Sequence, residues 1–171
     1  ETADCYREGE MLEWIGDLKR DVGADKVFAS VRVGVNRDPV QPVPRKDFSG
    51  AYLTEACERA LKRMGVEALD AMVLHNPSLK TLARGEAWTA PRDLKTAGKV
   101  RLIGMSVGSE DVGRAALIRK PDLVVLPYNL FVPSMLHRLS SEISSSGAGV
   151  VVRSPLAYGL VADGWSGARR F

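Results

Sequence analysis

The chain has 171 residues, 45% of them hydrophobic and 26% charged, enough apolar material to bury a core and too much for a disordered segment. No apolar run approaches the ~20 residues that a membrane helix needs, and no signal-peptide pattern opens the chain. The net charge is only +3, and short basic groupings such as Arg59, Lys62 and Arg63 read as solvated helix faces, so neither a membrane nor a nucleic-acid partner is expected.

Cys5 and Cys57 show no C-x-x-C and no metal-ligand spacing, which fits a reducing, cytoplasmic setting without a metal site. The first residue is Glu, so the chain is expected to begin inside a longer protein.

In chain order, a first helix is expected over about Met11 to Lys19, then a strand from Lys26 to Val33. Asn36 to Asp47 carries prolines at 39, 42 and 44 and has no periodicity, which predicts a long β-α loop of the kind that often carries function. Ser49 caps a helix whose apolar face repeats at Leu53, Cys57, Leu61 and Met64, and Gly65 stops it. A strand over Leu69 to Leu74 follows, then a helix from about Glu86 to Ala97, kinked or delayed by Pro91 and ended by Gly98. Val100 to Met105 is the next strand, and Ser109 starts a helix with Glu110 and Asp111 at its positive end. Asp122 to Leu126 is a strand. Pro133 and Ser134 open a helix carrying Met135, Leu136, Leu139 and Ile143, closed by Gly147. Gly149 to Val152 is the last strand, and Ala162 to Phe171 is a Gly-rich, polar loop.

The strands are nearly continuous apolar runs, as expected for parallel strands covered on both faces. Repeated β-α units predict a parallel sheet in one domain spanning residues 1–171, either open or closed into a barrel. Five clear strands are too few for a closed eight-stranded barrel, which takes ~250 residues.

Several segments together resemble the aldo-keto reductase superfamily of (β/α)8 TIM-type barrels. Glu1-Thr-Ala-Asp-Cys-Tyr6 is similar to that family's D-T-A-x-x-Y at the end of its second strand. Leu61-Lys-Arg-Met-Gly65, Leu69-Asp70 and Leu74-His75-Asn-Pro77 are similar to L-x-R-L-G…D-x-x-x-x-H-x-P. Gly98-Lys-Val-Arg101-Leu-Ile-Gly104-Met-Ser106 is similar to G-K-x-R-x-I-G-x-S. Pro127-Tyr128-Asn129 and Ser154-Pro155-Leu156-Ala-Tyr-Gly159 are similar to the ends of the sixth and seventh strands. The resemblance implies an α/β barrel of which strands two to seven are present. Strand one, and strand eight with the segment that grips an adenosine 2′-phosphate, would lie outside this chain.

It further implies NADP(H)-dependent reduction of an aldehyde or ketone, or the reverse oxidation. A Tyr protonates the carbonyl oxygen, a Lys paired with an Asp shifts that Tyr, and a His orients the substrate. A free phenol near pKa 10 is a poor acid at neutral pH without such a cation. By position Tyr6 is the acid, His75 the orienter, Glu1 stands for the Asp and Arg32 for the Lys. Arg keeps the charge of Lys but replaces a compact ammonium with a planar fork. Ser106, Arg153, Ser154 and Leu156 fall at cofactor positions, Arg153 where an aromatic ring stacks on the nicotinamide. Val107 and Val125 stand where the family binds the nicotinamide amide.

Two other readings stay open. Altered tetrad and cofactor positions allow a barrel without redox chemistry, serving as a binding or regulatory subunit or catalysing a non-redox step. Gly104-Met-Ser106-Val-Gly108 also matches G-x-S-x-G between a strand and a helix, with Asp122 and His137 following in hydrolase order. His137, Trp14 and Trp88 are otherwise expected to be helix-packing residues, and Trp165 a loop residue able to line a pocket. Substrate identity, the choice between NADPH and NADH and the oligomeric state have no sequence signal.

Overall fold

The computed structural model describes residues 1–36 and 43–162. Six strands form one parallel sheet: β1 (Thr2–Ala3), β2 (Ser30–Val33), β5 (Leu69–Leu74), β6 (Val100–Ser106), β7 (Leu123–Pro127) and β8 (Gly149–Arg153), side by side in that order. A two-stranded antiparallel hairpin, β3 (Val35–Asn36) with β4 (Arg45–Lys46), stands apart from it. The helices are α1 (Glu10–Val22), α2 (Gly50–Met64), α3 (Leu79–Ala83), α4 (Glu86–Thr96), α5 (Glu110–Leu117) and α6 (Ser134–Ser146). The result is a curled half-barrel, the partial (β/α)8 architecture expected from the sequence.

Side chains alternate across a strand, and the register sorts them into two faces. Val31 pairs with Met72, and Met72 with Ile103, on the side where Val124 also enters the core. That side packs against Leu53, Cys57 and Met64 of α2 and Leu94 of α4. On the other face Arg32 pairs with Val73 and Val73 with Gly104. The same period carries His75, Ser106 and Arg153 onto that face at the C-terminal strand ends, where barrel chemistry is placed.

Local chemistry explains most element ends. The Ser49 side chain accepts the N–H of Tyr52, and Gly65 closes α2 in the left-handed conformation (φ 65°). Ser109 caps α5 in the same way, and Gly147 ends α6 at φ 75°.

Four expectations need correction. The strand forecast from Lys26 begins only at Ser30, because the Lys19 ammonium binds the carbonyls of Ala24 and Val27 and takes this stretch out of the ladder. Pro91 does not delay its helix, which starts at Glu86 and runs through the buried Pro91 to Thr96. The loop after β2 is partly paired: Val35 faces Lys46 and Asn36 faces Arg45, while residues 37–42, with two of its prolines, lie outside the described residues. Trp88 is buried, but Trp14 is half exposed beneath the Arg7 guanidinium, 5.3 Å from its ring centroid. Trp165 and most of the C-terminal tail lie outside the described residues.

Candidate active site

Four side chains from three neighbouring strands, Glu1 and Tyr6 flanking β1, Arg32 in β2 and His75 after β5, converge at the C-terminal edge of the sheet. Arg32, the third residue of β2, is central. Its Nη2 donates to the Tyr6 hydroxyl at 2.6 Å, its Nε lies 3.1 Å from a Glu1 carboxylate oxygen, and its Nη1 lies 3.4 Å from His75 Nε2. The Arg32 and Glu1 side chains are mostly buried, at 13% and 24% exposure, so their attraction is screened less than that of a surface pair. The guanidinium also lies 5.5 Å from the centroid of the Tyr6 ring, and that ring meets the His75 ring edge-on at 6.3 Å.

Backbone geometry fixes these positions. β1 pairs with β2 so that Ala3 faces Arg32, and the Asp4 N–H donates to the Arg32 carbonyl. Tyr6, two residues on, opens a tight turn in which Arg7 and Glu8 both adopt left-handed angles (φ 47° and 57°), a costly conformation for side chains of this size. His75 is tied to β2 by its own N–H, which donates to the Val33 carbonyl.

The protonation pattern follows from donor counting. Arg has no acceptor, so in its contact with Arg32 His75 Nε2 must accept, and the ring proton then sits on Nδ1. That atom is buried and has no hydrogen-bond partner. Burial first, then the positive charges of Arg32, Lys46 and Arg153, hold the imidazole pKa down at about 4. His75 is therefore neutral at physiological pH. The Tyr6 oxygen accepts from Arg32, which leaves its own O–H free to donate.

Asp4 lies on the helix side. One carboxylate oxygen accepts from the Tyr52 hydroxyl at 3.2 Å, and the other is buried without a partner. Burial raises this carboxyl to about 6 against the opposing effects of Tyr52 and Arg59, and the Tyr52 phenol is raised beyond its ordinary range by burial and by Asp4.

The positions forecast for a cofactor divide. Ser106 is wholly buried and its hydroxyl donates to the Asn76 side-chain oxygen at 2.8 Å. Arg153 ends β8 with a buried Nε that lacks a partner, the kind of orphan a bound group can satisfy. The Ser154 carbonyl accepts from Asn129 at 3.0 Å, Ser154 is left-handed (φ 59°), and Leu156 is exposed. The Val107 and Val125 side chains are fully buried and, being apolar, offer no hydrogen bond. Arg153 and the 154–156 loop could hold a cofactor, Ser106 is committed to Asn76 beneath them, and the two valines supply no amide contact.

The hydrolase constellation is not assembled. Asp122 sits at the opposite end of the sheet, holding Lys95 at 2.6–2.7 Å and the Ile103 N–H. His137 is exposed on α6, 3.4 Å from the Tyr128 hydroxyl.

Sequence reasoning missed two participants. Asn76 is left-handed (φ 52°) and locks Ser106. Lys46, on the hairpin, donates to the Asn76 carbonyl at 2.5 Å. Only the proline-rich loop hinted at Lys46, because nothing local announces the Val35–Lys46 pairing that folds it back.

Comparison with known proteins agrees with this architecture. The aldo/keto reductase family profile matches residues 1–166. The chain is 26% identical over 161 residues to "Probable aldo-keto reductase 1" of Glycine max, covering 94% of this chain and 46% of that protein. It is 27% identical over 133 residues to "Aldo-keto reductase yakc [NADP(+)]" of Schizosaccharomyces pombe, covering 77% and 39%. An aldo-keto reductase from Bacillus halodurans, solved in its holo form, superposes with a TM-score of 0.88 at 24% identity, covering 98% of this chain and 55% of that one. A Klebsiella pneumoniae aldo/keto reductase in complex with NADP and acetate superposes with a TM-score of 0.72 at 24% identity, covering 95% and 54%. The chain thus spans about half the length of the relatives it matches. With the profile running across nearly all of its residues, the chain belongs to the aldo/keto reductase family.

Proposed function

We propose that this chain carries the reductive half-site of an aldo-keto reductase, reducing an aldehyde or ketone, or oxidising the corresponding alcohol, with NADP(H). The observation that carries this reading is the Arg32 guanidinium donating into the Tyr6 hydroxyl beside His75. The relative named for NADP(+) and the structure solved with NADP support the choice of cofactor.

Tyr6 has the acid's task. Arg32 occupies its oxygen lone pair and leaves the hydroxyl proton to point at a carbonyl oxygen. As that oxygen gains negative charge, the fixed guanidinium stabilises it without reorganising, which is where electrostatic catalysis draws its effect. Glu1 holds the guanidinium in register. His75 orients the carbonyl: to donate from Nε2 it exchanges the long 3.4 Å contact with Arg32 for a substrate oxygen and moves its proton from Nδ1. A hydrogen bond that long is weak, so the exchange costs little. A nicotinamide, when bound, would supply the hydride; Arg153 and the 154–156 loop would hold it, with Ser106 beneath them fixing Asn76. The substrate is a small carbonyl compound and the setting is cytoplasmic.

The test is Tyr6→Phe assayed with NADPH and an aldehyde. We expect turnover to fall by about 10²–10⁴-fold while NADPH binding, read by its fluorescence, is retained. Equal turnover in the variant would overturn the assignment.

A second reading, a barrel without redox chemistry that serves as a binding or regulatory subunit, is favoured by the buried Val107 and Val125. Fluorescence titration with NADPH separates the two, since no binding up to millimolar cofactor supports the non-redox protein.

A further inference from the structure

The charges around His75 do not balance. Glu1 neutralises Arg32, but Lys46 and Arg153 have no carboxylate within ion-pair distance among the described residues. Asp4 is turned to Tyr52 on the helix side. Asp47 gives a carboxylate oxygen to the Ser49 N–H, and with Glu86 and Arg84 it lines a cavity of about 170 Å³ that Lys46 borders.

Lys46 is held where it can act. Gly34 (φ 109°) turns the chain out of β2, and a Cβ there would lie 2.3 Å from the Phe48 ring. The Asp47 N–H donates to the Gly34 carbonyl, and β4 then returns Lys46 opposite Val35. Its ammonium reaches the Asn76 carbonyl at 2.5 Å, one residue beyond His75. That bond uses one of three donors, and the residue is exposed. Arg153, on the far strand, brings a second cation whose Nε is buried and unpartnered.

We propose that Lys46 selects substrates whose carbonyl is tethered to a carboxylate, the ammonium receiving the carboxylate while the carbonyl lies between Tyr6 and His75. This rests on the reductase reading and names its substrate class. A carboxylate fits better than a phosphate, because the site offers isolated cations rather than the cradle of backbone N–H groups that phosphate sites build. Two cations without an ion-pair contact among the described residues, beside a neutral imidazole, also draw anions in from solution, an effect that salt weakens.

The test compares 4-carboxybenzaldehyde with 4-formylbenzamide, an uncharged analogue of nearly the same shape, using NADPH and the intact chain. We expect kcat/KM to favour the carboxylate about tenfold at low salt, mostly through KM, and the ratio to shrink in 0.5 M NaCl. Lys46→Met should bring the ratio close to one and Lys46→Arg should restore it. Equal use of the two aldehydes by the unaltered protein, or the same ratio in Lys46→Met, would overturn the proposal. If neither aldehyde turns over, the reductase reading fails separately, and calorimetric binding decides this one. Benzoate binding more tightly than benzamide, with the difference lost in Lys46→Met, supports the anion site. No difference rejects it.

Discussion

Lys19 and Asp70 meet at 2.6 Å with both side chains almost completely buried (6% and 7% exposed), at the end of the sheet away from His75. The ammonium also binds the carbonyls of Ala24 and Val27, and Asp70 accepts the Ala29 N–H and reaches Arg101. Every donor on this ammonium has a partner, so α1, the segment leading into β2, β5 and β6 are clamped at one polar point. The chain thus keeps this buried ion pair at one end of the sheet and the candidate site at the other, the division expected of barrels.

Removing one member of that pair strands the other in a low-dielectric interior. Lys19→Met should therefore cost about 3 kcal/mol or more, seen as a lower urea midpoint with an unchanged slope. Pairing Lys19→Met with Asp70→Leu should recover part of the loss. A midpoint unmoved by the single substitution would mean that the pair is dispensable.

His75 should stay neutral to well below its ordinary titration range. Its pKa is held at about 4 by burial and three cations, so its ring signals in NMR should show no midpoint near 6.5. Arg32→Met removes the cation with the strongest effect on His75 and should move the midpoint upward. A wild-type midpoint near 6.5 would show that burial and these cations do not govern His75.

Asp4 and His75 act on stability in opposite senses. The unfolded chain protonates His75 near 6.5 and the folded chain only near 4, so this group adds stability as pH rises through that window. Asp4 is protonated up to about 6 when folded but only up to 3.8 when unfolded, so its contribution falls as pH rises from about 4 to 6. Asp4→Asn keeps an acceptor for Tyr52 and removes the opposing term. We expect Tm to climb more steeply from pH 4.5 to 6.5 in that variant than in the wild type. An identical profile would show that Asp4 titrates normally.

Close helix contact sets a further requirement. A Cβ on Gly16 of α1 would lie 2.3 Å from the Met64 carbonyl of α2, which is backbone and cannot swing away. Gly16→Ala should lose about 1–3 kcal/mol even though alanine is the better helix former. Thermal or urea unfolding checks this, and a more stable variant would mean that α1 can shift outward.

Much of this protein was legible in the residues alone, for local reasons. Continuous apolar runs gave β5 and β7 nearly to the residue, and Ser49 with Gly65 bounded α2, because capping and left-handed termination are properties of one or two side chains. The order of short motifs placed the chain in its family and singled out Arg32, His75, Ser106 and Arg153 by position, while the strand register set them on one face. Long-range pairing had no such signal. The capture of the Ala24 and Val27 carbonyls by Lys19, the hairpin that returns Lys46 to His75 and the burial of Ser106 against Asn76 each join residues whose neighbours in sequence say nothing of the meeting. Charge balance at the mouth belongs to this second kind, since a net charge counts cations and carboxylates without regard to which ones the fold brings within reach of each other.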